Sequence, residues 1–79
     1  MNTEYRQQTV GIRTDSNGTR RVFFVYVRRV YDGAELIAES NPHRGSFAED
    51  ALDREYAIAA DGETRTGQQI LDEAGVSLS

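Results

Sequence analysis

His43, in the loop NPHRG, is the only imidazole in the chain, so metal binding and acid–base catalysis are tested there first. A metal centre would need carboxylates at ligand spacing, and none lies nearby. A hydrolytic site would need a nucleophile oriented by a base. Ser40 and Ser46 flank the histidine, but Ser46 is committed to a helix-capping pattern, and His43 reads as a loop residue in solvent. DSNGTR begins like a calcium loop, yet Arg20 and Arg21 stand where alternating oxygen ligands belong. Asp61-Gly62-Glu63 fails in the same way, with Arg65 next in the alternation. The glycines are dispersed as turn and cap residues and form no phosphate cradle between a strand and a helix. No enzymatic activity, metal or cofactor is expected.

What remains is recognition chemistry. RRVFFVYVRR, residues 20–29, interleaves aromatic and apolar side chains with paired arginines. Tested against the RNA-recognition signature, Arg21-Val-Phe-Phe-Val-Tyr lacks the glycine, and Phe24 and Tyr26 share a face while Phe23 points away. Charge is polarised along the chain. Residues 1–30 carry six Arg against Glu4 and Asp15, whereas residues 31–79 carry Arg44, Arg54 and Arg65 against eleven carboxylates, for a net charge of −4. Such asymmetry speaks to partners and association rates.

Seventy-nine residues make one small domain, 1–79, of marginal stability. Without cysteine no disulfide supplements the core, and oligomerisation is the common remaining remedy. MNTEYRQQTV has no apolar run with a small-residue cleavage site, and no apolar segment of ~18 residues occurs. A cytoplasmic protein is expected.

Two glycine turns organise the first half. Asn17-Gly18 as a two-residue type I′ loop pairs Ile12 with Phe23, Val10 with Val25, and Gln8 with Val27. The opposite side then pairs Arg13 with Val22, Gly11 with Phe24, and Thr9 with Tyr26. Asp32-Gly33 as a second loop pairs Tyr31 with Ala34, Arg29 with Leu36, and Val27 with Ala38. Both turns put the same side of the middle strand in the core, which predicts a three-stranded antiparallel meander ended by Asn41-Pro42. Ser46-Phe-Ala-Glu49 is a capping box, and Phe47, Ala48, Ala51, Leu52, Tyr56, Ile58 and Ala59 recur at helical spacing up to Asp61-Gly62. A strand over REYAIAA is the alternative for the end of that segment. Thr66-Gly-Gln-Gln69 opens a short helix through Ile70, Leu71 and Ala74, with Gly75 as its stop. The expected fold class is therefore α+β. An amphipathic helix covers Val10, Ile12, Phe23, Val25, Val27 and Leu36 on one sheet face, and a short C-terminal helix follows.

Two surfaces are left for partners. The second sheet face carries Val22, Phe24, Tyr26, Val30 and Ile37 with Arg13 and Arg28 at its rim, an apolar centre in a charged frame. On the expected helix, Glu49, Asp50, Asp53 and Asp61 fall within about 120° of arc. Such a stripe can occupy a partner's nucleic-acid groove in place of phosphates.

In element order, three strands followed by the helix GSFAEDALDREYAIA, the chain resembles the sheet-face DNA readers of plants and the amino-terminal arm domains of phage integrases. That resemblance implies DNA contact by Arg13, Arg20, Arg28, Phe24 and Tyr26. In size, acidity, missing cysteines and absence of a catalytic signature, the chain is similar to small phage-encoded inhibitors of bacterial defence, the anti-CRISPR proteins. This implies a non-enzymatic protein-binding module, located in the host cytoplasm, that blocks a nucleic-acid-binding host complex. A homodimer through the second sheet face is a third expectation.

Overall fold

A computed structural model describes residues 1–78, which form six strands and one helix. RRVFFVYVRR makes up the first ten residues of β2 (Arg20–Asp32). Along one edge β2 pairs with β1 (Asn2–Thr14), and its other edge is shared end to end by β3 (Glu35–Glu39) and β4 (His43–Ala48). β3 lies beside Arg29–Asp32 and β4 beside Arg21–Tyr26. At the junction Ser40 keeps the ladder continuous: its N–H donates to the Arg28 carbonyl and its Oγ accepts from the Arg28 N–H, both at 2.9 Å. Pro42, which has no N–H to offer, falls in the gap between the two strands.

The first hairpin differs from the sequence expectation by one residue. Asp15 Oδ1 accepts from the Asn17 and Thr19 N–H groups at 2.9 and 3.0 Å, and the Gly18 N–H donates to the Asp15 carbonyl at 3.1 Å. Among the described residues only glycines have positive φ, Gly18 at 82°, so Asn17 cannot join a type I′ turn. The loop is instead three residues, a type I turn closed by a left-handed glycine. Ile12 now faces Val22, Val10 faces Phe24 and, past a bulge at Gln8, Gln7 faces Tyr26. A one-residue shift exchanges the faces of a strand. Val22, Phe24 and Tyr26 are accordingly buried and Phe23, expected inside, is 40% exposed, while Val27 is buried as expected. Ile12, although opposite Val22, is 38% exposed. The second hairpin also departs from expectation: its loop is Gly33-Ala34, so Asp32 faces Glu35 and Tyr31 faces Leu36, which is 45% exposed.

The second correction concerns residues 46–61, which hold no helix and make the fold mostly sheet, not α+β. β3 covers only the distal part of β2, so a helix beginning at Ser46 would leave the backbone groups of Arg21–Tyr26 without partners on that edge. β4 satisfies them, and tertiary pairing overrides the local helical signal. The capping-box residues serve the sheet: Ser46 Oγ accepts from Arg21 Nη2 at 3.2 Å, and Glu49 pairs with Arg20. Turns then lead to β5 (Glu55–Ala57), which pairs with β6 (Thr64–Thr66) in a separate two-stranded sheet. The strand alternative for REYAIAA thus holds for three of its residues, outside the main sheet. α1 (Gly67–Ala74) follows, with both hydrogen bonds of the Thr66–Gln69 capping box and Gly75 at its C-cap.

The core lies between the sheet and this C-terminal cover. Val22, Phe24, Tyr26 and Phe47 meet Ile58, Ile70 and Leu71. Gly45 stands opposite Phe24, and a Cβ there would overlap the phenyl ring. Tyr26 fastens α1 to the sheet: its hydroxyl donates to Glu73 at 2.8 Å and accepts from Gln7 Nε2, which also donates to the Ile70 carbonyl. Burial, followed by the bond to Glu73, raises the Tyr26 pKa above its ordinary 10.0. The molecule measures 46 × 19 × 18 Å, and every residue of β3 is exposed.

Candidate functional site

The register that buries Val22, Phe24 and Tyr26 turns the intervening residues of β2 to the opposite face. Across three strands, Arg13 pairs with Arg21 and Arg21 with Ala48. The next row is Gly11, Phe23 and Ser46, and the third is Thr9, Val25 and Arg44. These nine residues contain three arginines and no carboxylate. Phe23 sits at the centre of this grid. The Arg13 guanidinium carbon lies 5.6 Å from its ring centroid, in cation–π range. A groove of about 340 Å³ is lined by Thr9, Gly11, Arg13, Phe23, Val25 and Arg44 among others.

Ion pairing separates this face from the rest of the surface. Arg6, Arg20, Arg28, Arg29 and Arg65 are held by Glu4, Glu49, Asp61, Glu39 and Glu63 respectively. Among the described residues Arg13, Arg21, Arg44 and Arg54 have no ion pair, and the first three share the open face. Arg13 directly opposite Arg21 is a like-charge cross-strand pair, which opposes folding. Neither does packing require Gly11, where a Cβ would meet nothing within 4 Å. A chain of net charge −4 with thirteen carboxylates has kept all of them off this patch. The chemistry such a face can perform is anion recognition combined with contact to a flat apolar or aromatic group.

Of the residues expected on the exposed sheet face, only Arg13 lies in this grid. Phe24 and Tyr26 are core. Arg28 pairs with Asp61 at 3.3 Å on the covered side, and Ile37 lies exposed at a bulge in β3. The acidic stripe does not exist as a helix face. Glu49 is neutralised by Arg20, and Asp61 accepts from the Tyr5 hydroxyl and Arg28, while Asp50 and Asp53 are exposed in the turns after β4. The Tyr5 bond, the Glu63 N–H and Arg28 hold the Asp61 carboxyl below its ordinary 3.8. Sequence reasoning missed Arg21, Phe23, Val25 and Arg44 as surface. The signal that could have found them is Asp15, whose carboxylate favours the longer loop and with it the other register.

His43 opens β4 and lines a separate hollow of about 280 Å³ with Arg28, Ser40, Asn41 and Pro42. Among the described residues no three His, Asp or Glu side chains are grouped as a metal ion would require. No helix among them is long and apolar enough to cross a membrane. No protein-family model, curated protein or solved structure matches the chain.

Proposed function

We propose that this chain is a small binding module that works through its open sheet face, and that the partner of that face is nucleic acid. The observation that carries the reading is the concentration of three arginines without carboxylate partners around Phe23, in an otherwise acidic chain. Phosphates supply the missing counter-charge, and release of their condensed ions drives association. The test is a titration at low salt with oligonucleotides of about 15 residues, single-stranded and duplex. Binding should weaken with salt at a slope of about −2 in log K against log concentration, the value for three phosphate contacts on a single strand. Replacing Arg13, Arg21 and Arg44 together by Ala should remove it. Absence of binding to either form at low salt would overturn the proposal.

An inhibitor that blocks a host nucleic-acid-binding complex is the second reading. What supports it is that Asp50 and Asp53 are exposed and, among the described residues, carry no ion pair. Charge reversal at these two positions should abolish capture of such a complex, and unchanged capture would sink this version.

A further inference from the structure

Resting on the nucleic-acid reading of this face, we infer that its ligand is a single strand, with one base stacked on Phe23 and phosphates held by arginines on either side. The order of groups across the grid is the first support. Arg13 and Arg21 share the row on one side of Phe23, and Arg44 lies in the row on the other side. Rows on one face are about 6.7 Å apart along a strand, so the backbone positions of Arg21 and Arg44 stand roughly 13 Å apart along the strand direction with Phe23 in the row between them. A strand crossing the face therefore meets cation, aromatic ring and cation in turn, the sequence of phosphate, base and phosphate.

The setting of the ring is the second support. Its cross-strand neighbours are Gly11 and Ser46, the one without a side chain and the other with a short one, and the ring is 40% exposed. Space beside it is open, since a Cβ on Gly11 would touch nothing within 4 Å. An accessible ring flank gains from stacking only when the base offers its own flat face. In a duplex those faces are already stacked on neighbouring pairs and only edges are presented in the grooves. Unpaired bases present them freely, and base–aromatic stacking is sequence-tolerant. Arg13, already lying over Phe23, extends the platform with a second planar group able to stack on a base.

The chain has no tryptophan, so Phe23→Trp places a single indole, excited selectively over the tyrosines, at the proposed contact. Its emission should be quenched on adding an oligothymidylate or an oligouridylate of about 15 nucleotides, and much less by a duplex of equal length. Preference between the two oligomers would identify DNA or RNA as the source of the strand. Phe23→Ser, at an exposed position, should keep the fold and lower single-strand affinity about ten-fold, with duplex binding unchanged. If Phe23→Ser binds single strands as well as the unaltered chain does, while the triple arginine variant does not, stacking is overturned and the basic-face reading stands. Equal or tighter duplex binding overturns the single-strand assignment in the same way. If neither nucleic acid, nor either oligomer, binds at low salt, both proposals fall together; tight binding of poly-glutamate in their place would assign the face to an acidic protein.

Discussion

Adjacent residues of β2 live in opposite environments. Phe24 is 2% exposed, with its ring over Gly45 and 5.9 Å edge-on from Tyr26. Phe23, one residue earlier, is 40% exposed beside two arginines that oppose each other across the strands. The even face follows local rules where it is covered: Val22 is paired with Ile12 and Phe47 and Phe24 with Val10, the buried Tyr26 phenol is hydrogen-bonded, and the Gly45 gap is filled by a ring. The odd face breaks local rules with like charges in register and an uncovered aromatic. Such violations cluster where a protein binds something, since folding alone gives them no return. The comparison teaches that the aromatic run in the middle strand divides its work by parity from Arg21 to Tyr26, a division that ends at Val27, which is 1% exposed.

The sharpest way to break this division is truncation on the buried side. Phe24→Ala should cost about 3–5 kcal/mol, enough to unfold much of so small a domain, while Phe23→Ala should stay within ~1 kcal/mol, both read by urea denaturation. A similar loss at both positions would contradict the assignment of faces. Next in size is Gly45→Ala, whose Cβ enters the Phe24 ring, expected at about 1–3 kcal/mol against no more than ~0.5 for Gly11→Ala.

Tyr26→Phe removes the hydroxyl shared by Gln7 and Glu73 and should cost about 1 kcal/mol near neutral pH. Its pH dependence gives a second readout. Because the folded-state pKa is raised, the contribution is complete below the unfolded value of 10.0 and is lost as pH rises beyond it. The Phe variant should therefore show less loss of stability above pH 10 than the unaltered chain.

Smaller effects sharpen the picture of the open face. Arg13→Glu replaces a like-charge pair with an opposite one, so stability should rise by about 0.2–1 kcal/mol while oligonucleotide binding falls. Stability and binding moving in the same direction would contradict the reading. At the acid end, Asp61 has a lowered folded-state pKa, so its contribution is present above about 3.8 and is lost as pH falls through the lower folded value. Asp61→Asn should flatten that part of the acid limb in thermal melts.

Several parts of this fold were legible from local chemistry alone. The places of the two turns, though not their loop residues, the antiparallel order of the first strands, and α1 with its Thr66 box and Gly75 stop all depend on residues close in sequence. The second loop is Gly33-Ala34, not Asp32-Gly33, with Asp32 opposite Glu35 and Arg29 opposite Glu39. Register was not legible, because Asn17-Gly18 suits a two-residue loop while the Asp15 side chain selects three, and that choice lies in two amide hydrogen bonds. The fate of residues 46–61 was also hidden. Their helical spacing is real as a pattern, but the unpaired edge of Arg21–Tyr26 left by β3 is visible only once strand lengths are known. Both misreadings reached the site. The wrong register sent Phe24 and Tyr26 to the surface and Phe23 to the core, and the absent helix assembled Glu49 and Asp61, which the fold gives to Arg20 and Arg28.

Phe23→Ser and Phe24→Ser, measured side by side for unfolding free energy and for single-strand binding at low salt, test the division of β2 most directly. The account predicts that Phe24→Ser loses several kcal/mol of stability, and that Phe23→Ser keeps its fold and loses about ten-fold in affinity. A Phe23→Ser chain that unfolds like its neighbour, or that binds undiminished, would contradict it.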